Sequence, residues 1–159
     1  MVLKDDDCNV ITLLHNEIIK LIPHRHPFLL IDKVTDIIIN KSITGIKAVT
    51  FNEYFFPGHF PEHPVMPGVL ILESMAQTAA CLVSYEDQSL SLDNLVFFTG
   101  IEKAKFRKPV IPGDELCLKI NLISYKRSLY KFYGEAFIED KSVASSEFSA
   151  MLVDREKAK

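Results

Sequence analysis

Two residues fourteen positions apart, His59 and Glu73, are the best suited in this chain to move protons. His59 stands in a loop of unusual composition: Phe55 to Gly68 holds four prolines, two glycines and two histidines in fourteen residues. Pro57, Pro61, Pro64 and Pro67 rule out a regular helix or an inner strand there, and they stiffen the backbone that carries His59. Glu73 follows in a stretch, Val69 to Tyr85, with no glycine or proline and many good helix formers. A carboxylate in an apolar helix is costly to ionise unless it is paired, which suits a proton donor. Imidazole is the side chain best matched to accepting a proton near neutral pH. Brought together by the fold, the two make an acid–base pair. Kept apart, Glu73 is a buried carboxylate paired for structure.

Three neighbours bear on that chemistry. Gly68 falls in the first turn of the helix, where an amide is free and no Cβ blocks approach, so it can polarise a carbonyl or stabilise an oxyanion. The competing reading is a glycine that only permits a tight turn. Gln77 lies one turn beyond Glu73 and either orients it or makes an ordinary interior hydrogen bond. His63 rivals His59, and the two mimic the i, i+4 pair of a helical zinc site. Pro61 and Pro64 forbid that helix and no third ligand is evident, so no metal is expected. No G-x-G-x-x-G or P-loop pattern occurs, so no nucleotide or flavin cofactor is expected. His15, His24 and His26 read as structural or exposed.

The elements that must position these groups follow from periodicity. Asn16 to Leu21 is a short amphipathic helix stopped by Pro23. Ile-, Val- and Thr-rich residues predict antiparallel strands at about 29–39 and 42–51. The helix of Glu73 is apolar nearly all round, with Ser74, Thr78 and Cys81 beside Glu73 and Gln77 on one narrow polar stripe, so it is predicted to be buried. After a loop at about 86–93, Leu95–Ile101, Glu115–Tyr125, Leu129–Glu139 and Val143–Val153 suit strands. Lys126-Arg127-Ser128 and Asp140-Lys141 read as hairpin connections, and Pro112-Gly113-Asp114 as a tight turn. The simplest architecture is α+β: a curved antiparallel sheet of five or six strands wrapped around one long central helix.

Size and charge narrow the function class. The chain has 159 residues, which fits a single domain over 1–159 with a short N-terminal tail of about 1–14. Lys plus Arg is 18 against 21 for Asp plus Glu, and the net charge of −3 argues against a general nucleic-acid binder. Cys8, Cys81 and Cys117 are an odd count without CxxC spacing, which suits reduced thiols in the cytoplasm. Asp5, Asp6 and Asp7 are wrong for a signal or transit peptide. No unbroken apolar run reaches the roughly 18 residues of a membrane-spanning helix, so no membrane role is expected.

The run Gly58-His59-Phe60-Pro61-Glu62-His63-Pro64-Val65-Met66-Pro67-Gly68, continued through Glu73 to Gln77, resembles the signature of the (3R)-hydroxyacyl-acyl-carrier-protein dehydratases of type II fatty acid synthesis. Ile22 to Asp32 resembles the family's N-terminal segment, except that His26 stands where the family usually has tyrosine. Phe106 to Asp114 resembles its downstream turn. The likeness runs from about Leu21 to Leu152.

This resemblance implies a hotdog fold and an active site shared by two subunits, with His59 from one chain and Glu73 from its partner. It implies a homodimer at least, commonly assembled into a hexamer, and a substrate carried as a thioester on acyl carrier protein. On that reading His59 and Glu73 are catalytic, Gly68 binds the thioester carbonyl, and Gln77 supports Glu73. Leu72, Met75, Ala76, Phe97 and Phe98 would line the acyl tunnel, against the plainer reading of core packing. Lys105, Arg107, Lys108, Lys126 and Arg127 would dock the acidic carrier, against the plainer reading of solvated loop charges. The sister dehydratase/isomerases share Pro64-Val65-Met66-Pro67-Gly68, but carry aspartate in place of Glu73, cysteine in place of Val69 and tryptophan in place of Ala76. The chain therefore reads as a dehydratase. The alternatives are a dehydratase with added isomerase activity, a hotdog thioesterase and a non-catalytic acyl-binding subunit.

Overall fold

Alternation of apolar and polar residues drives most of the chain into one antiparallel sheet. The computed structural model describes residues 11–87 and 94–156. Cys8, the three aspartates, the first ten residues of the expected tail and most of the expected 86–93 loop lie outside these. The elements are β1 (Leu13–Leu14), α1 (His15–Leu21), β2 (Lys33–Ile38), β3 (Ser42–Ala48), α2 (Gly68–Glu86), β4 (Asn94–Phe106), β5 (Glu115–Lys126), β6 (Leu129–Ile138) and β7 (Lys141–Asp154). They form a seven-stranded sheet in the order β1-β2-β3-β5-β6-β7-β4. α2 packs across β3, β5, β6 and β7. This is the α+β arrangement predicted, a sheet around one long helix.

Three elements differ from expectation. β1 falls in the expected tail and makes the sheet seven-stranded, where the sequence predicts five or six strands. The strand predicted from residue 29 begins only at Lys33, because Leu30 gives its amide to the Gln77 side chain rather than to a neighbouring strand. The strand predicted over 95–101 runs on to Phe106, crossing register shifts between Phe98 and Gly100 and between Glu102 and Lys105. Such bulges bend a strand without ending it, and the sequence gives no sign of them.

The core sits between α2 and the concave face of the sheet. Leu116, Leu118 and Ile120 of β5 alternate inward, as do Phe132 and Ala136 of β6. Each fully buried large apolar side chain contributes about 1.5–3 kcal/mol. The helix comes close enough that glycine is required beneath it. A Cβ on Gly45 would lie 2.2 Å from Thr78 Oγ1, and one on Gly134 would lie 2.9 Å from Met75 Sδ. Two buried hydroxyls of α2 are satisfied within the helix: Ser74 donates to Leu70 O (2.8 Å) and Thr78 to Ser74 O (2.9 Å). α2 is long and apolar enough, by length and composition, to cross a membrane. This corrects the count of unbroken apolar runs, which Glu73 and Gln77 interrupt without making the average polar. Most of that helix is covered by the rest of the fold. Cys81 is buried and Cys117 half-buried, both free, and burial pushes both thiols up.

Candidate active site

The proline loop folds into consecutive tight turns. Gly58 and His59 give their amides to Phe55 O and Phe56 O, and Phe60 and His63 exchange backbone bonds of 3.2 and 3.0 Å. Val65 N bonds to His59 O (2.9 Å), and Met66 N to Val110 O (2.8 Å), which ties the loop to the segment after β4. Lys47 of β3, almost wholly buried, pairs with Glu53 and anchors the loop's start.

His59 is fixed within this loop. Its Nδ1 lies 2.6 Å from Val65 O. A carbonyl only accepts, so Nδ1 carries the hydrogen and Nε2 keeps a free lone pair. The imidazole stacks on Phe60, with ring centroids 4.2 Å apart. His63 is exposed in the turn.

Gly68 opens α2 after Pro67, as the sequence predicts. Pro67 O accepts from Leu70 N and Ile71 N, and no bond from Gly68 N is found among the described residues, as expected for a first helical amide. His59 and Gly68 line one groove of about 390 Å³, together with Val69, Phe106, Lys108 and Pro109. The Phe106 ring lies over Gly68 so closely that a Cβ there would sit 2.7 Å from Cε1. Phe106 was not among the expected site residues, although it opens the Phe106-to-Asp114 segment that carries part of the resemblance.

Glu73 lies in a different cleft, with His24, Ala76, Gln77, Val96, Phe98 and Ala150. That cleft encloses about 20 Å³, room for roughly one water. No hydrogen bond or ion pair joins Glu73 to His59 among the described residues. Gln77 is fully buried. It accepts from Leu30 N (2.9 Å) and donates to Phe28 O (2.7 Å) and Glu73 Oε1 (3.0 Å). His24, expected to be structural or exposed, instead places Nε2 3.4 Å from Glu73 Oε1. Nothing in the spacing of His24 signals that contact.

The remaining expected residues divide. Ala76 and Phe98 line the Glu73 cleft, and Ala76 also walls an adjoining apolar cleft that reaches Tyr130 and Leu152. Leu72 and Met75 are buried in the core, and Phe97 is exposed. Lys105 and Lys108 are exposed. Arg107 donates to Ser145 Oγ (3.0 Å) and Ser142 Oγ (3.4 Å). Lys126 and Arg127 are at the β5–β6 turn, where Arg127 takes a left-handed φ of 57°. A larger cavity, about 560 Å³, lies elsewhere among the described residues, between Ile11–Leu13, α1 and Tyr85. Glu17, the carboxylate among its described lining residues, accepts from the Leu14 amide.

The model of the FabA-like domain matches residues 22–147. A 3-hydroxyacyl-[acyl-carrier-protein] dehydratase FabZ of Rhodospirillum rubrum is 50% identical over 139 residues, 87% of each chain. The FabZ of Gluconobacter oxydans is 52% identical over 137 residues, 86% of this chain and 81% of the relative. The dehydratase heterocomplex ApeI:P from Xenorhabdus doucetiae superimposes with a TM-score of 0.78 at 16% identity, covering 89% of this chain and 93% of that one. At that identity the likeness speaks for the fold alone.

Proposed function

The chain belongs to the FabA-like domain family, and from that premise we propose that it removes water from (3R)-3-hydroxyacyl thioesters carried on acyl carrier protein, leaving trans-2-enoyl thioesters. It is a hydro-lyase of fatty acid biosynthesis, acting in the cytoplasm. The observation that carries the mechanism is the tautomer of His59: with Nδ1–H held by Val65 O, Nε2 is free to act as base.

The Gly68 amide donates to the thioester oxygen and stabilises the enolate-like charge as it forms. His59 Nε2 takes the proton from C2. Glu73 of a second copy gives its proton to the C3 hydroxyl, the C3–O bond breaks, and water leaves as the C2–C3 double bond forms. The proton on His59 then returns to Glu73 and resets the pair.

Two observations support a site built by two copies. His59 and Glu73 line separate clefts within one chain. Among the described residues β4 is the last strand of the sheet, beside β7, and it exposes Phe97, Ile101 and Phe106. A long apolar edge strand calls for a partner, and a second β4 supplies one. A dimer is thus the smallest active assembly, with a hexamer as its further association. The acyl chain follows the apolar clefts along Ala76, Val96 and Ala150, which must widen to admit it. Lys108 lines the His59 groove and draws in the acidic carrier, with the exposed Lys105, Arg107, Lys126 and Arg127 as further contacts.

Mass spectrometry of a 3-hydroxyacyl-carrier protein, after incubation with the purified protein, tests the reading. Loss of one water with the acyl group still attached is expected. Release of free acid would identify a thioesterase instead, and no change across several chain lengths would point to a non-catalytic acyl binder.

A further inference from the structure

Both polar side-chain contacts on Glu73 fall on the same oxygen. Gln77 Nε2 is 3.0 Å from Oε1, and His24 Nε2 is 3.4 Å from it. The Gln77 amide has no freedom to flip. The Leu30 amide can only donate, so it must face the Gln77 oxygen, and Nε2 must then face Phe28 O and Glu73 Oε1. Oε1 is therefore an acceptor, and a protonated Glu73 carries its hydrogen on Oε2.

His24 completes this arrangement. Its Nδ1 is buried without a hydrogen-bond partner, and Nε2 is the ring nitrogen that faces a polar group, Glu73 Oε1 at 3.4 Å. A hydrogen on Nδ1 would be a buried donor left unmade, whereas a hydrogen on Nε2 has a carboxylate oxygen within 3.4 Å. The ring is held by its surroundings. Arg25 gives its guanidinium to Ile19 O, Ile22 O and His24 O, fixing the backbone, and Phe28 stacks on the imidazole at 6.5 Å.

We propose that His24 is a positioning residue for the dehydration: its Nε2–H and the Gln77 amide hold Oε1, so that Oε2 alone carries the acid proton, and both donors stabilise the carboxylate as that proton leaves. The proposal rests on the reading of Glu73 as proton donor. The contact of 3.4 Å is long at rest and shortens as charge develops on the carboxylate. Few other titratable groups bear on the pair. From the proline loop, Tyr54 feels the Glu73 charge, and its hydroxyl is pushed up by burial, then by Glu53 and Glu73. From β4 and β7 come only Val96, Phe98 and Ala150. Arg25 is turned onto backbone carbonyls.

The test is kcat and KM against pH for His24→Phe, His24→Gln and Glu73→Gln in the full chain, with a 3-hydroxyacyl-carrier protein as substrate. His24→Phe keeps the stack on Phe28 and loses the donor. Its kcat is expected to fall roughly 10–100-fold, as for a misplaced catalytic group, with KM within about twofold. A general acid must be protonated, so activity declines on the alkaline side. Losing a donor to the ionised carboxylate disfavours that form, and the alkaline limb moves to higher pH. His24→Gln restores a donor at the same reach and should recover most of kcat and the position of the limb. Should the phenylalanine variant fail to fold, His24→Asn replaces it, because its shorter amide cannot reach Oε1 and is expected to lose as much. Folded His24→Phe or His24→Asn with normal kcat and an unmoved limb would overturn the role of His24, as would equal losses in His24→Gln. Glu73→Gln that keeps its turnover would overturn the donor reading itself, whatever the His24 variants do.

Discussion

His59 is held by a carbonyl six residues along its own loop, whereas the side chain that steadies Glu73 bonds 47 and 49 positions back, at Leu30 and Phe28. His59, the proposed base, is set by a backbone group on a stiffened turn, open to a groove. Glu73, the proposed acid, is set by a buried amide that also stitches the N-terminal segment to α2. A locally built site depends on loop sequence and survives change elsewhere. A site built from distant segments couples chemistry to stability, because the bonds that aim the carboxylate also hold the fold.

The comparison breaks most sharply at the two proton carriers. Glu73→Gln and His59→Ala should each lower kcat by about 10²–10⁴-fold while the far-ultraviolet circular dichroism stays native. Near-normal turnover in either would remove that residue from the chemistry. Gln77→Leu strikes the coupled side. It leaves the buried Leu30 amide and Phe28 carbonyl without their partner, at a cost of about 1–3 kcal/mol each. Urea unfolding should therefore show stability falling together with kcat. Unchanged stability would show that the long-range stitch carries no weight.

Gly68→Ala probes the groove side. Its Cβ would meet the Phe106 ring at 2.7 Å, so a loss of about 1–3 kcal/mol in thermal unfolding is expected. Phe106→Ala in the same chain should return most of it. The smallest effect belongs to two exposed lysines, Lys108 in the groove and Lys105 on the β4 strand that leads to it. Lys105→Glu with Lys108→Glu should raise KM for carrier-bound substrate roughly tenfold at low salt, and spare a small thioester analogue. Equal effects on both substrates would reject a docking role.

The same contrast decides what the sequence discloses. The proline run and the helix beginning after Pro67 are legible because each is a local pattern of residue types. The Pro112-Gly113-Asp114 turn is legible for the same reason, and Gly113 takes a φ of 100° there that favours glycine. What could not be read is set by tertiary packing. Leu29 to Asp32 has the composition of a strand, but Leu30 bonds to Gln77 instead. The bulges of β4 depend on its pairing with β7. His24 resembles any loop histidine until the fold places it against Glu73, and Phe106 gains its role only by lying over Gly68.

The central claim is that each active site joins His59 of one copy to Glu73 of another, and mixing the two inactive variants tests it most directly. His59→Ala and Glu73→Gln proteins are combined under conditions that exchange subunits, and dehydration is then measured. Every mixed dimer would regain one intact site, so random exchange should restore about a quarter of the native activity. If subunits exchange and no activity returns, both residues act within a single chain and the shared-site account is wrong.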